Sequence, residues 1–128
     1  MMRRWLLASV LALAACGDGD GARVCTASFA FITSVAVDGA GLPVSNLVVT
    51  DTVVRTGKGF DVAQNGFFNA AGVFVVFSDS YLADVHEAGD AVRVSGTSGG
   101  KGFSATYEFG SDGCHVRKVS GPDTVVVR

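Results

Sequence analysis

The chain has 128 residues, a formal charge of −2 and 48% hydrophobic residues, which suits one domain with a single modest core. No cluster of Lys and Arg occurs, so the electrostatic term that dominates binding to phosphate backbones is missing and nucleic acid is excluded as a partner. A polybasic membrane patch is missing for the same reason. The chain opens on a basic head, Met1-Met2-Arg3-Arg4-Trp5, followed by the apolar run Leu6 to Ala15. Such a run is too short to span a bilayer as a helix, which takes roughly 20 residues. Basic head, short apolar stretch and small residues before a cut describe a secretory signal peptide over residues 1–15.

Leu13-Ala14-Ala15-Cys16 is more specific. It resembles the lipobox of bacterial lipoproteins, in which lipid is attached to the cysteine and the preceding peptide is removed. The resemblance implies a mature chain that begins at lipidated Cys16 and is held in the membrane by its acyl chains. The mature part keeps eight basic residues against twelve acidic ones, a net charge of −4. Gly17 to Gly21 alternates glycine with aspartate, so residues 16–24 read as a solvated, flexible tether. A calcium loop of EF-hand type is disfavoured, because an oxygen ligand is needed where Cys16 stands. Gly17 in place of Asp favours the outer membrane by resemblance to known sorting patterns.

With Cys16 assigned to lipid, Cys25 and Cys114 are left as a pair in an exported, oxidising setting. A disulfide closing a loop of about 90 residues contributes on the order of 4–5 kcal/mol in the chain-entropy model. The alternative is two free buried thiols.

From Phe29 the pattern has period two: Phe29, Phe31, Val35 and Val37 share one parity and Ser28 and Ser34 the other, a half-buried strand. Asp38-Gly39-Ala40-Gly41 marks a turn, and Pro43 suits an edge or strand entry. Leu47 to Val54 is the next strand, Gly57-Lys58-Gly59 a turn, and Phe60 and Val62 alternate with Asp61 and Ala63 before a break at Gln64-Asn65-Gly66. Val73 to Phe77 is apolar on both parities, as expected of a strand near the middle of the core. Asp79 or Ser80 is placed to cap a helical turn carrying Tyr81, Leu82 and Val85, although residues 79–88 also fit a strand. Val92 and Val94 alternate with Arg93 and Ser95, and Gly96 to Gly102 reads as a glycine-rich turn. The clearest strand follows, with Phe103, Ala105, Tyr107 and Phe109 inward and Ser104, Thr106 and Glu108 outward. Cys114 to Val119 and Thr124 to Val127 complete the set. Seven or eight short strands, with turn signals about every 8–12 residues and no long helical period, predict an all-β sandwich over residues 25–128.

Val35-Ala36-Val37-Asp38-Gly39-Ala40-Gly41-Leu42-Pro43-Val44 resembles the opening hairpin of transthyretin-like and carboxypeptidase regulatory-like domains. These share a valine-rich strand, Asp, a glycine turn, Pro-Val and a second strand. The resemblance implies a seven-stranded Greek-key sandwich of immunoglobulin-like architecture, used as an accessory or interaction domain.

Chemistry-bearing patterns are sparse. Gly96 to Gly102 superficially looks like a phosphate loop, but Ser95 stands where its first glycine is needed, Gly102 follows Lys101, and the segment opens a strand instead of a helix. No serine lies in Gly-x-Ser-x-Gly, and no pair of carboxylates is placed for opposed pKa values, so no catalytic residue is assigned. His86 and His115 lack the spacing of a metal pair; a metal site would recruit both together with Glu87 or Asp112. Phe67-Phe68 lies in a polar turn, where two adjacent aromatics cannot both face one side of a core, and is the candidate contact for an envelope protein or a polysaccharide. The expectation is a membrane-anchored envelope lipoprotein serving as a non-enzymatic binding or structural module, without a cofactor. Its rivals are a metal-binding envelope protein using His86 and His115, and a hydrolase.

Overall fold

A computed structural model describes residues 24–64 and 70–128. Cys16, the expected signal peptide, most of the expected tether and Phe67-Phe68 lie outside the described residues. Eight strands build an all-β sandwich: β1 (Phe31–Val37), β2 (Val48–Val53), β3 (Gly59–Val62), β4 (Val73–Ser78), β5 (Asp90–Ser98), β6 (Lys101–Ser111), β7 (Val116–Ser120) and β8 (Thr124–Val126). One sheet has the order β4-β1-β8 and the other β3-β2-β5-β6-β7. Neighbours are antiparallel except β1 and β8, which run parallel, with Val35 beside Thr124 and Val37 beside Val126.

Alternation fills the space between the sheets. Val49 and Val53 of β2, Val92 and Val94 of β5, and Tyr107 and Phe109 of β6 are buried, while Thr50, Arg93 and Thr106 face water. The Phe109 ring stacks on Phe77 at 4.4 Å and lies 5.4 Å from Tyr107.

On β1 the inward face is the opposite of the expected one. Ser34 and Ala36 are buried, whereas Phe29 and Phe31 are 50% and 42% exposed. The facing sheet already supplies Tyr107 and Phe109, so β1 contributes small residues and its aromatics turn outward. The Tyr107 hydroxyl donates to Ser34 Oγ (2.9 Å), which donates to the Pro122 carbonyl (3.0 Å).

β4 is buried on both faces from Phe74 to Ser78, as its apolar run implies, yet it lies at the edge of its sheet. Gln64 closes part of that edge. Its side-chain amide donates to the Val75 carbonyl (2.9 Å) and accepts from the Val75 amide (2.8 Å), pairing as a strand's peptide group would.

The turns refine the expected elements. Asp38 Oδ1 accepts from the amides of Ala40 and Leu42, and its backbone amide donates to the Leu42 carbonyl. This turn carries the chain between sheets, because only an isolated Val37–Pro43 bridge follows it and β2 joins the other sheet. The expected glycine turn at Gly96 to Gly102 shrinks to Gly99-Gly100, with φ of 57° and 77°, a left-handed pair that closes a two-residue hairpin. Gly96 and Gly102 are strand residues instead. A Cβ on Gly96 would stand 2.4 Å from Phe103 Cε1, so glycine leaves room for that ring.

Asp79–Asp84 forms a 3₁₀ segment, the helical alternative of the two expected, capped one residue earlier than anticipated by Ser78, whose Oγ accepts from the Ser80 amide. The strand expected from Cys114 begins at Val116, because Asp112 Oδ1 binds the amides of Cys114 and His115 and holds them in the turn. Among the described residues no helix is long and apolar enough to cross a membrane.

Candidate functional site

The register places the start of β1, the ends of β4 and β6 and the starts of β5 and β7 at one end of the sandwich. Chemistry-bearing side chains concentrate there. Cys25 and Cys114 form a disulfide, with their Cα atoms 5.2 Å apart and 89 positions between them in sequence. The free-thiol alternative is thereby removed. The bond fastens the segment entering β1 to the β6–β7 turn.

Asp79 sits beside this staple and gathers three donors. Its Oδ2 accepts from the Ala30 amide (2.8 Å) and from His115 Nδ1 (2.6 Å), and its Oδ1 accepts from the Val116 amide (2.8 Å). The Asp79 amide in turn donates to the Ala30 carbonyl (3.1 Å). Burial works to raise the pKa of this carboxyl, but the Ala30 amide, His115 and the Val116 amide together bring it below its ordinary value. An ionised Asp79 thus accepts from Nδ1 of His115, whose Nε2 lies 2.9 Å from Thr26 Oγ1; Thr26 Oγ1 is also 2.9 Å from Ser28 Oγ.

The line Thr26–His115–Asp79 therefore has the connectivity of a nucleophile, base and orienting acid. It also has a purely mechanical consequence. Through the Ala30 and Val116 amides, one half-buried carboxylate ties the entry of β1 to the start of β7.

A second group of charges braces the same end. Arg55 grips Asp90 through Nε (2.9 Å) and Nη2 (3.0 Å), while the His86 amide donates to Asp90 Oδ2 (2.8 Å). Arg55, only partly opposed by burial, brings the Asp90 pKa down to about 2, with the His86 amide assisting. Lys58 pairs with Asp84 at 2.6 Å, and Arg117 Nη2 donates to the Glu87 carbonyl (2.9 Å). His86 and His115 are not brought together as a ligand pair; each keeps its own partners, Asp90 for one and Asp79 with Thr26 for the other. Among the described residues no three of His, Cys, Asp and Glu gather as a metal-ligand set.

Asp51 is the residue that reading the sequence missed. It lies on β2 between Phe60 and Val94 of the neighbouring strands, fully buried, and among the described residues neither carboxyl oxygen has a hydrogen-bond partner. Burial pushes its pKa up to about 8, so the group is held neutral in the core near pH 7. Its signal is present in the alternation: Leu47, Val49, Asp51 and Val53 share the inward parity, and the polar member breaks the pattern. Thr26 and Asp79 carried no such signal as partners of His115, being 89 and 36 positions away from it. No family model, curated protein or solved structure matches this chain.

Proposed function

We propose that the chain is a cell-envelope lipoprotein, held in the membrane by acyl chains on Cys16, outer membrane favoured, and facing the periplasm or exterior. In this reading, residues 1–15 are removed as a signal peptide and residues 16–24 tether a sandwich of residues 25–128. That sandwich serves as a non-enzymatic binding or structural module for an envelope protein or polysaccharide. The observation that carries the reading is the Cys25–Cys114 bond. Disulfides persist in oxidising compartments outside the cytosol, and this one begins nine residues after the lipobox cysteine. The Asp38 turn supports the likeness to transthyretin-like and carboxypeptidase regulatory-like domains, which act as accessory modules; that step is by analogy.

Crosslinking in the native cell, affinity purification from the membrane fraction and mass spectrometry test the proposal. Recovery of a stoichiometric envelope partner supports a binding module. Absence of the protein from the membrane fraction contradicts the anchor.

A second reading takes Thr26–His115–Asp79 as an acyl-transfer relay, on the strength of its 2.9 Å and 2.6 Å contacts. An esterase, glycosidase and peptidase panel on wild type and Thr26→Val decides it. Turnover that vanishes in the variant establishes the relay, and turnover equal to buffer leaves the three groups as a fastening.

A further inference from the structure

The stretch that leads from the expected tether into β1 exposes apolar side chains at the stapled end. Val24 is 94% exposed, and the rings of Phe29 and Phe31, both exposed, lie 4.9 Å apart. Their direction is fixed by the backbone. Asp79 binds the amide and carbonyl of Ala30, so the residues on either side of it project to the same face, as strand alternation requires. Burial of aromatics away from water is the ordinary outcome; holding two of them outward beside a disulfide and a half-buried carboxylate is not.

We propose that Val24, Phe29 and Phe31 form an interfacial foot that seats the domain on the bilayer holding its own acyl chains. The proposal rests on the lipoprotein reading, and chain length selects the occupant. Seven residues lie between Cys16 and Val24, a contour of at most about 28 Å over the eight steps. Val24 is therefore held within that distance of the bilayer and the aromatic pair lies at the same end, whereas Leu42, itself 62% exposed, stands beyond the far end of β1. β1 alone adds about 23 Å of separation. With a net charge of −4 and no basic cluster in the mature part, attraction to anionic headgroups is absent. The contact is an apolar one, the rings entering the boundary between headgroups and acyl chains by about 5–10 Å. The acyl chains provide anchorage, and the foot orients the sandwich with its Asp38 and Gly99-Gly100 turns away from the surface.

The test uses the lipid-modified protein in vesicles. The only tryptophan, Trp5, lies in the expected signal peptide, so Phe29→Trp and, separately, Leu42→Trp each give a single reporter in the mature chain. Vesicles of phosphatidylethanolamine and phosphatidylglycerol carry acyl chains brominated at shallow positions, at less than one protein per vesicle, so that neither another protein nor a second copy covers the patch. Quenching of the Phe29→Trp reporter at least about twofold greater than that of Leu42→Trp is expected for rings at the interfacial boundary. Equal quenching of the two in protein whose mass shows the lipid overturns the foot and leaves the lipoprotein reading standing. A mass without lipid on Cys16 overturns both. Phe31→Trp is the second reporter if Phe29→Trp fails to form the disulfide, and the same two quenching outcomes apply to it.

Discussion

The two ends of the sandwich are held by different chemistry. At the end where β1 begins, a covalent bond, a carboxylate with three donors and a bidentate Arg55–Asp90 pair lock together segments far apart in sequence. At the other end the fastenings are backbone bonds and turns. Asp38 closes its own loop, Gly99-Gly100 closes a two-residue hairpin, and Arg128 exchanges two backbone hydrogen bonds with Gly102. One end is locked by a covalent bond and by charged side chains, while the other is held by local turns and by the Arg128–Gly102 backbone pair, which joins the two sheets. On the proposed lipoprotein reading this asymmetry is useful, because attachment through Cys16 would coincide with the cross-linked end.

The comparison is broken most severely by replacing both Cys25 and Cys114 with alanine. Losing on the order of 4–5 kcal/mol of loop-closure stabilisation lowers the melting temperature by roughly 20 °C for a domain of this size, measured by calorimetry. A fall of less than about 5 °C shows that the hydrogen-bonded groups alone hold this end.

Asp79→Ala comes next, at a cost of about 2–3 kcal/mol, because the Ala30 and Val116 amides lose their acceptor. The pKa of Asp79 is lowered in the folded chain. Its contribution is thus complete above the unfolded carboxylate range and lost as pH falls through the folded value. Acid unfolding curves of the variant lie closer to its neutral curves than those of wild type.

Asp51→Val acts in the opposite direction, between the two ends. Replacing an unpartnered buried carboxyl with the residue type of its neighbours Val49 and Val53 stabilises the fold by about 1–3 kcal/mol at pH 8. In wild type the raised pKa makes the contribution of Asp51 most favourable below the unfolded value of 3.8 and erodes it as pH rises towards about 8. The gain from the substitution therefore shrinks at pH 4, which denaturant titrations at the two pH values measure.

The smallest effect belongs to the far end. Gly100→Ala meets no neighbouring atom but must adopt a φ of 77°, at a cost of about 1 kcal/mol, with hydrogen exchange accelerated at the β5–β6 hairpin and unchanged around Cys114.

How much of this was legible depended on how local the cause was. Phe103 to Phe109 announced their strand and its inward face, since alternation alone decides both when one parity is polar. β1 announced its strand but not its face. Both of its parities are free of charge, and only the large Tyr107 and Phe109 opposite select Ser34 and Ala36 for the interior. The two-residue turn at Gly99-Gly100 hid among four glycines, because Gly96 is needed for space beside Phe103 and not for a turn. At the candidate site the cysteine pair was legible because assigning Cys16 to lipid, as the lipobox resemblance implies, left only one pairing. The meeting of Thr26, Asp79 and His115 depends on the sandwich topology, and no local pattern encodes it. Cys16 and Phe67-Phe68 lie outside the described residues.

The most direct test of the account is an intact mass spectrum of the protein extracted from native membranes, alkylated without prior reduction. The account predicts a chain that starts at Cys16, carries acyl groups and takes up no alkylating agent on Cys25 or Cys114. A chain that retains residues 1–15, or one alkylated at both positions, would contradict it.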